Sequence, residues 1–138
     1  MSNATIGIAV VIPCYRVASH ILDVLAAIGP EVDAIYVVDD ACPQASGELV
    51  RTSSTDPRVR VLRHEQNQGV GGAMVTGYRA ALADGMGIVV KLDGDGQMDP
   101  RLIPRFTAPL LAGEADYTKG NRFYDLRYIG RMPGIRLL

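Results

Sequence analysis

Apolar residues along this chain fall into two alternating patterns. Short, nearly continuous runs rich in β-branched residues predict strands, and longer stretches with apolar positions every three or four residues predict helices. Ile6-Gly-Ile-Ala-Val-Val-Ile12, closed by Pro13, reads as a strand buried on both faces of a sheet. Val17 to Ile28 places Val17, Ile21, Val24, Leu25 and Ile28 at helical spacing before Gly29-Pro30 stops the chain. Ala34 to Val38 predicts a second strand running into Asp39-Asp40, and Pro43 to Val50 a short helix opened by proline. Val59 to Leu62 predicts a third strand. Val70 to Ala83 predicts a long helix, entered through Asn67-Gln-Gly-Val-Gly-Gly72 and left through Asp84-Gly85. Gly87 to Leu92 predicts a fourth strand, ending in Asp93-Gly-Asp-Gly-Gln-Met-Asp-Pro100. A proline-opened helix through Leu110 and a fifth strand over Ala115 to Lys119 complete the pattern.

Strands alternating with helices, with no internal repeat, predict an α/β fold of three α/β/α layers around a mainly parallel sheet. Ligands of such sheets bind beyond the carboxyl ends of the strands, where the strand order switches. Pro13-Cys-Tyr15, Asp39-Asp40 and Asp93-Gly-Asp95 all fall at strand ends of that kind.

Composition adds bounds. The 138 residues are 48% apolar and 21% charged, one ordinary domain with a real core. No apolar run approaches the roughly 18 to 20 residues of a membrane-spanning helix. Cys14 and Cys42 lack metal-ligand spacing and read as free thiols of a reducing compartment. His20 and His64 read as ordinary surface or packing residues. Residues 1–5 have no secretory-signal character and are set aside as disordered or appended. Net charge is −1, yet Arg122, Arg127, Arg131 and Arg136 face only Asp125 in the last segment, a candidate anion contact or simply a solvated basic end. No nucleic-acid partner is expected.

The sharpest chemistry lies in Asp93-Gly-Asp95. Two crowded carboxylates repel unless a cation sits between them, and a hard divalent ion with open coordination sites for substrate phosphates fits that need. Gln97 and Asp99 share the loop and come within reach of such an ion. A surface turn rich in Asp and Gly is the competing reading. A calcium loop counted from Asp93 would need Gly and Glu where Met98 and Pro104 stand, so it fails. A phosphatase of the Asp-nucleophile type would want its acids after the first strand. Asn67 to Ala73 opens a helix whose amides suit phosphate. It only imitates a dinucleotide fingerprint, since Met74 holds the third glycine position, and no Walker lysine occurs. Asp39, Asp40 and Tyr15 are candidates for a nucleobase or ribose edge; a helix cap for Asp40 and half-buried packing for Tyr15 are the alternatives.

Taken in order, Val10-Val-Ile-Pro-Cys-Tyr15, Val37-Val-Asp-Asp40, Asn67 to Ala73, Lys91-Leu-Asp-Gly-Asp-Gly-Gln-Met-Asp-Pro100 and Lys119-Gly-Asn-Arg-Phe123 resemble the motifs of family 2 inverting glycosyltransferases. The resemblance spans residues 6 to 123 and is nearest to the dolichyl-phosphate mannosyltransferase and polyprenyl-phosphate glycosyltransferase branch. It implies a GT-A fold, a Rossmann-like nucleotide-diphospho-sugar transferase sheet. It implies a UDP- or GDP-linked sugar donor, Mg²⁺ or Mn²⁺ as cofactor, and a polyprenyl-phosphate acceptor. Pro13, Tyr15, Asp39 and Asp40 would surround the nucleotide, with Asn67 and Gly71 near the donor. Asp93 and Asp95 would hold the metal with Gln97, and Arg122, assisted by Arg131 or Arg136, would approach the acceptor phosphate.

The implied reaction is single displacement with inversion at the anomeric carbon, with Asp93, Asp95 and Arg122 as the catalytic set. An anionic lipid phosphate could attack without the carboxylate base that a sugar hydroxyl needs. The expected organisation is a donor domain over 6–121 and the start of an acceptor-side segment over 122–138, truncated at its C-terminal side. Such a fragment is expected to bind donor and metal while turning over poorly. The whole protein is expected at the cytoplasmic face of a membrane, attached only through the missing C-terminal region. Two other readings stay open: a catalytically silent nucleotide-binding or interaction module, and a sugar-1-phosphate nucleotidyltransferase, whose glycine-rich arginine loop after strand one is lacking.

Overall fold

The computed structural model describes residues 6–96, 98–112, 117–118 and 123–125. Its elements are β1 (Ile8–Cys14), α1 (Ile21–Ala26), β2 (Ala34–Asp39), α2 (Ser46–Ser53), β3 (Val59–Arg63), α3 (Gly69–Ala83) and β4 (Ile88–Lys91). A 3-10 turn (Pro100–Leu102), α4 (Ile103–Leu111), β5 (Tyr117–Thr118) and β6 (Phe123–Asp125) follow. The sheet order is β3-β2-β1-β4-β6-β5. The first four strands of that order run parallel, β6 pairs antiparallel with β4, and β5 with β6.

Alternation along the central strands builds two cores. Ile8, Val10, Ile12, Ile35, Val37, Ile88 and Val90 face one way, against Ile21 and Leu25 of α1, Val50 of α2 and Ile103 and Leu110 of α4. Ala9, Val11, Tyr36, Val38 and Val89 face the other, against Ala73, Met74, Tyr78 and Ala81 of α3. This is the three-layer arrangement expected, and each fully buried Val or Ile contributes on the order of 1.5–3 kcal/mol. At Gly77 α3 comes so close to β1 that a methyl group there would collide with Val11 Cγ1. Among the described residues no helix is long and apolar enough to cross a membrane.

The differences from the sequence-based expectations have local causes. β1 continues through Pro13, which pairs with Val38 on β2. Gly7 and Val11 turn their carbonyls toward β4, so the Pro13 nitrogen faces that side too, beyond the point where β4 ends at Lys91. The missing N–H therefore costs no ladder bond. α2 starts at Ser46 rather than Pro43, because Ala41 and Ala45 adopt left-handed backbone (φ 58° and 51°) and break any earlier helix. α1 is shorter at both ends than the apolar pattern, and Arg58 donates to the carbonyls of Ile28, Gly29 and Val32 just beyond it. β6 was not among the predicted strands. It lies past residue 121 and joins the same sheet.

Candidate functional site

β1 and β4 are adjacent, but the chain visits β2 and β3 on the far side of β1 before returning to form β4. The strand order thus switches between β1 and β4, and a cleft of about 150 Å³ opens beyond their carboxyl ends. Pro13, Tyr15, Asp40, Asp93 and Asp95 all line it, with Val70 and Ala73 of α3 forming a wall. Tyr15 is 43% exposed at its lip, with the Arg16 guanidinium 5.3 Å from the ring centre. Arg16 itself has left-handed backbone (φ 59°), and its N–H donates to Cys42 Sγ at 3.0 Å, tying the β1 and β2 loops together.

Asp40 organises the entry to α3. Its Oδ1 accepts from the Gln68 amide at 2.7 Å and from His64 Nδ1 at 2.8 Å, and its Oδ2 accepts from the Gly69 amide at 2.8 Å. The carboxylate thus sits where a helix N-terminus favours an anion. Asn67 supports the same turn: its Nδ2 donates to the Asp40 carbonyl, and its Oδ1 accepts from Gly69. The two leading amides of the glycine-rich turn, read in the sequence as a phosphate cradle, are therefore already engaged by the protein's own carboxylate. Gly71 lies in the first turn of α3, with open space where a side chain would stand.

Asp39 turns away from the cleft lining. It is 2% exposed, and its two oxygens accept from the amides of Cys42 (2.8 Å) and Gly47 (3.0 Å), bracing the β2–α2 loop. Beside it, burial and then the Asp39 charge push the Cys14 thiol up, leaving it protonated. For Cys42, burial raises the thiol, but hydrogen bonds from Ser46 and from the Arg16 backbone outweigh it, and the net shift is downward.

Asp93 and Asp95 follow β4 on opposite sides of Gly94. The Asp93 side chain is 45% exposed, and its Oδ1 is 3.1 Å from Lys91 Nζ. Two carboxylates and a solvent-open cleft suit a hard cation that draws its remaining ligands from water and substrate. Among the described residues no group of three or more His, Cys, Asp or Glu stands ready to hold a metal unaided. Asp99, within reach of the ion by sequence, is instead occupied: it caps the 3-10 turn through the Arg101 amide at 2.9 Å and pairs with the Arg101 guanidinium, which holds its carboxyl below the usual range. Gln97, Arg122, Arg131 and Arg136 lie outside the described residues.

Two residues to which sequence reasoning assigned no role at the site bear on it. Of the two readings of His64, surface or packing, the structure has the second: its side chain is 7% exposed and bridges Asp40 to Thr76, whose Oγ1 is 2.7 Å from Nε2. Because Asp40 accepts from two amides as well, the Nδ1 proton belongs on the histidine. Lys91 ends an otherwise apolar strand, and that break in the pattern was its only signal.

The chain is similar to known proteins in sequence and in fold. The model of the family described as Glycosyl transferase family 2 matches residues 9–135. The undecaprenyl-phosphate mannosyltransferase of Micrococcus luteus is 35% identical over 79% of this chain, which spans 41% of that protein. Glucosyl-3-phosphoglycerate synthase of Mycobacterium tuberculosis, solved with Mn²⁺, uridine diphosphate and glucosyl-3-phosphoglycerate, superimposes with a TM-score of 0.64. It is 28% identical over 80% of this chain and 42% of its own. The S. aureus TarS structure (residues 1–349) shares the fold, with a TM-score of 0.71 at 15% identity, over 91% of this chain and 49% of its own. The chain thus spans less than half the length of each of these three proteins. With its GT-A architecture and the family model covering nearly its whole length, this chain belongs to glycosyl transferase family 2.

Proposed function

We propose that the chain is the donor-binding part of an inverting glycosyltransferase, taking a nucleotide-diphospho-sugar into the cleft between β1 and β4. The observation that carries this reading is the convergence of Tyr15, Asp40, Asp93 and Asp95 on one cleft at the switch point of the sheet. Pro13 and Tyr15 offer an apolar wall to a base. Asp40, already accepting from three donors, keeps a fixed lone pair for a ribose or base donor. Asp93 and Asp95 would hold Mg²⁺ or Mn²⁺, with Gln97 as a further ligand; a cation there supplies Lewis-acid stabilisation of the leaving diphosphate. The Mn²⁺ and uridine diphosphate named for the mycobacterial synthase support a UDP-type donor.

For the acceptor we propose a polyprenyl phosphate, supported by the name of the Micrococcus relative. Arg122, helped by Arg131, would meet the anionic phosphate. Residues 6–121 would form the donor domain, completed by an acceptor-side segment beginning at 122, and the whole protein would work at the cytoplasmic face of a membrane.

A thermal-shift panel of UDP, GDP and CDP, with and without Mn²⁺ or Mg²⁺, tests the donor site. A ligand that binds only the folded state raises its melting temperature in step with concentration over affinity. One nucleotide is expected to stabilise the wild type in a metal-dependent way and to leave Asp95→Ala unmoved. A flat response to all three would overturn the reading.

A further inference from the structure

Lys91 is the last residue of β4, and its ammonium is nearly withdrawn from water, with a side chain only 12% exposed. Val90 before it and Leu92 after it belong to the core packed by α1, α2 and α4, so by strand alternation Lys91 stands on the α3 side. An ammonium so placed requires a compensating charge. Asp93 provides it, at 3.1 Å through Oδ1. Among the described residues that line the cleft Lys91 is not found, and it meets the cleft through that carboxylate.

We propose that Lys91 is the resident counter-ion of Asp93: it orients the carboxylate and balances part of its charge while no divalent cation is bound. It thereby shifts the preference of the cleft away from the free cation and toward the cation that arrives with a nucleotide diphosphate. This inference rests on the metal–nucleotide reading above. A fixed positive charge one carboxylate away from the cation opposes cation binding in the empty cleft and favours the polyanionic nucleotide that arrives with it. Lys91 is thus a positioning residue with an electrostatic signature. A residue that served only packing would leave no such sign.

The test compares wild type, Lys91→Met and Lys91→Arg. Free Mn²⁺ is followed by its electron paramagnetic resonance signal, and whichever of UDP and GDP the wild type takes is titrated calorimetrically at saturating Mn²⁺. Melting temperatures establish that each variant folds. Lys91→Met, which fills the same space without charge, is expected to bind Mn²⁺ alone about tenfold more tightly, the size expected for a divalent and a univalent charge one carboxylate apart under water-like screening. It is expected to bind nucleotide several-fold more weakly, and Lys91→Arg to restore both affinities. If Lys91→Met weakens both ligands together, or moves neither, Lys91 is structural and the inference falls while the donor-site reading stands. If wild type binds neither Mn²⁺ nor nucleotide, the donor-site reading falls and this inference with it.

Discussion

Asp40 and His64 face each other across 2.8 Å with side chains 5% and 7% exposed, joining the residue just past β2 to the residue just past β3. Through Thr76 the same histidine reaches α3, so one buried polar chain fastens three elements around the cleft. Buried networks of this kind are costly when only partly satisfied.

Asp40→Asn tests that cost. The amide offers one acceptor oxygen where a carboxylate served Gln68, Gly69 and His64, so Gly69 is left with Asn67 Oδ1 as its acceptor and the amide's NH2 is turned toward it, or, with the amide flipped, Gln68 and the buried His64 ring lose theirs. A loss of about 1–3 kcal/mol is expected from urea unfolding. An unchanged midpoint with an unchanged slope would show that the network relaxes freely.

Gly77 and Val11 predict a compensating pair. Gly77→Ala drives a methyl into Val11 and should cost about 1–3 kcal/mol by overpacking. Val11→Ala alone leaves a cavity and is also destabilising. Combined, the two should be markedly less harmful than their sum, and strict additivity in the double-mutant cycle would refute the contact.

Arg58 predicts a pH dependence. The Arg58 guanidinium beside Asp56 holds that carboxyl below the usual range, against a smaller opposing effect of burial. Because the folded-state value is the lower one, the stabilisation is present above the ordinary carboxylate range near pH 4 and disappears as pH falls through the folded value. Asp56→Asn should flatten the stability profile there by about 1 kcal/mol. Arg58→Ala should do so as well, and also lower stability at neutral pH by about 2 kcal/mol, because three carbonyls beyond α1 lose their donor. Parallel profiles for wild type and Asp56→Asn below pH 4 would contradict the assignment.

The two cysteines should differ in reactivity. Cys42 is partly exposed with its thiol shifted downward, whereas Cys14 is buried and shifted upward. A thiol reagent at neutral pH should modify one cysteine quickly, and peptide mapping should place the label on Cys42, with Cys14 reacting only in denaturant. Equal native-state rates would count against the packing of β1.

The α/β architecture was legible because strands buried on both faces write continuous apolar runs, and α3 is bounded by the glycine-rich turn that opens it and Asp84-Gly85 after it. The boundary of α2 was not, since a proline at a helix start and a proline in a loop read alike until Ala41 and Ala45 reveal their backbone. The carboxylates of the site were visible as pairs after strands. Which way each one turned was not: Asp39 and Asp99 are consumed by local amides, and Asp40, Asp93 and Asp95 reach the cleft. That division depends on loop geometry that the spacing of residues does not encode. His64 was read only as a surface or packing residue, because a single histidine outside any motif carries no periodic signal.

Attachment of β6 to β4 gives the last described segment a protective task. β4 carries the strand end from which Asp93 and Asp95 project, and without residues 123–125 its flank would present unpaired amides and carbonyls to solvent. A version cut at 121 would keep every carboxylate of the cleft and still expose an apolar edge able to pair with another copy of itself. Its expected failing is aggregation, visible as light scattering at concentrations where the longer chain stays clear.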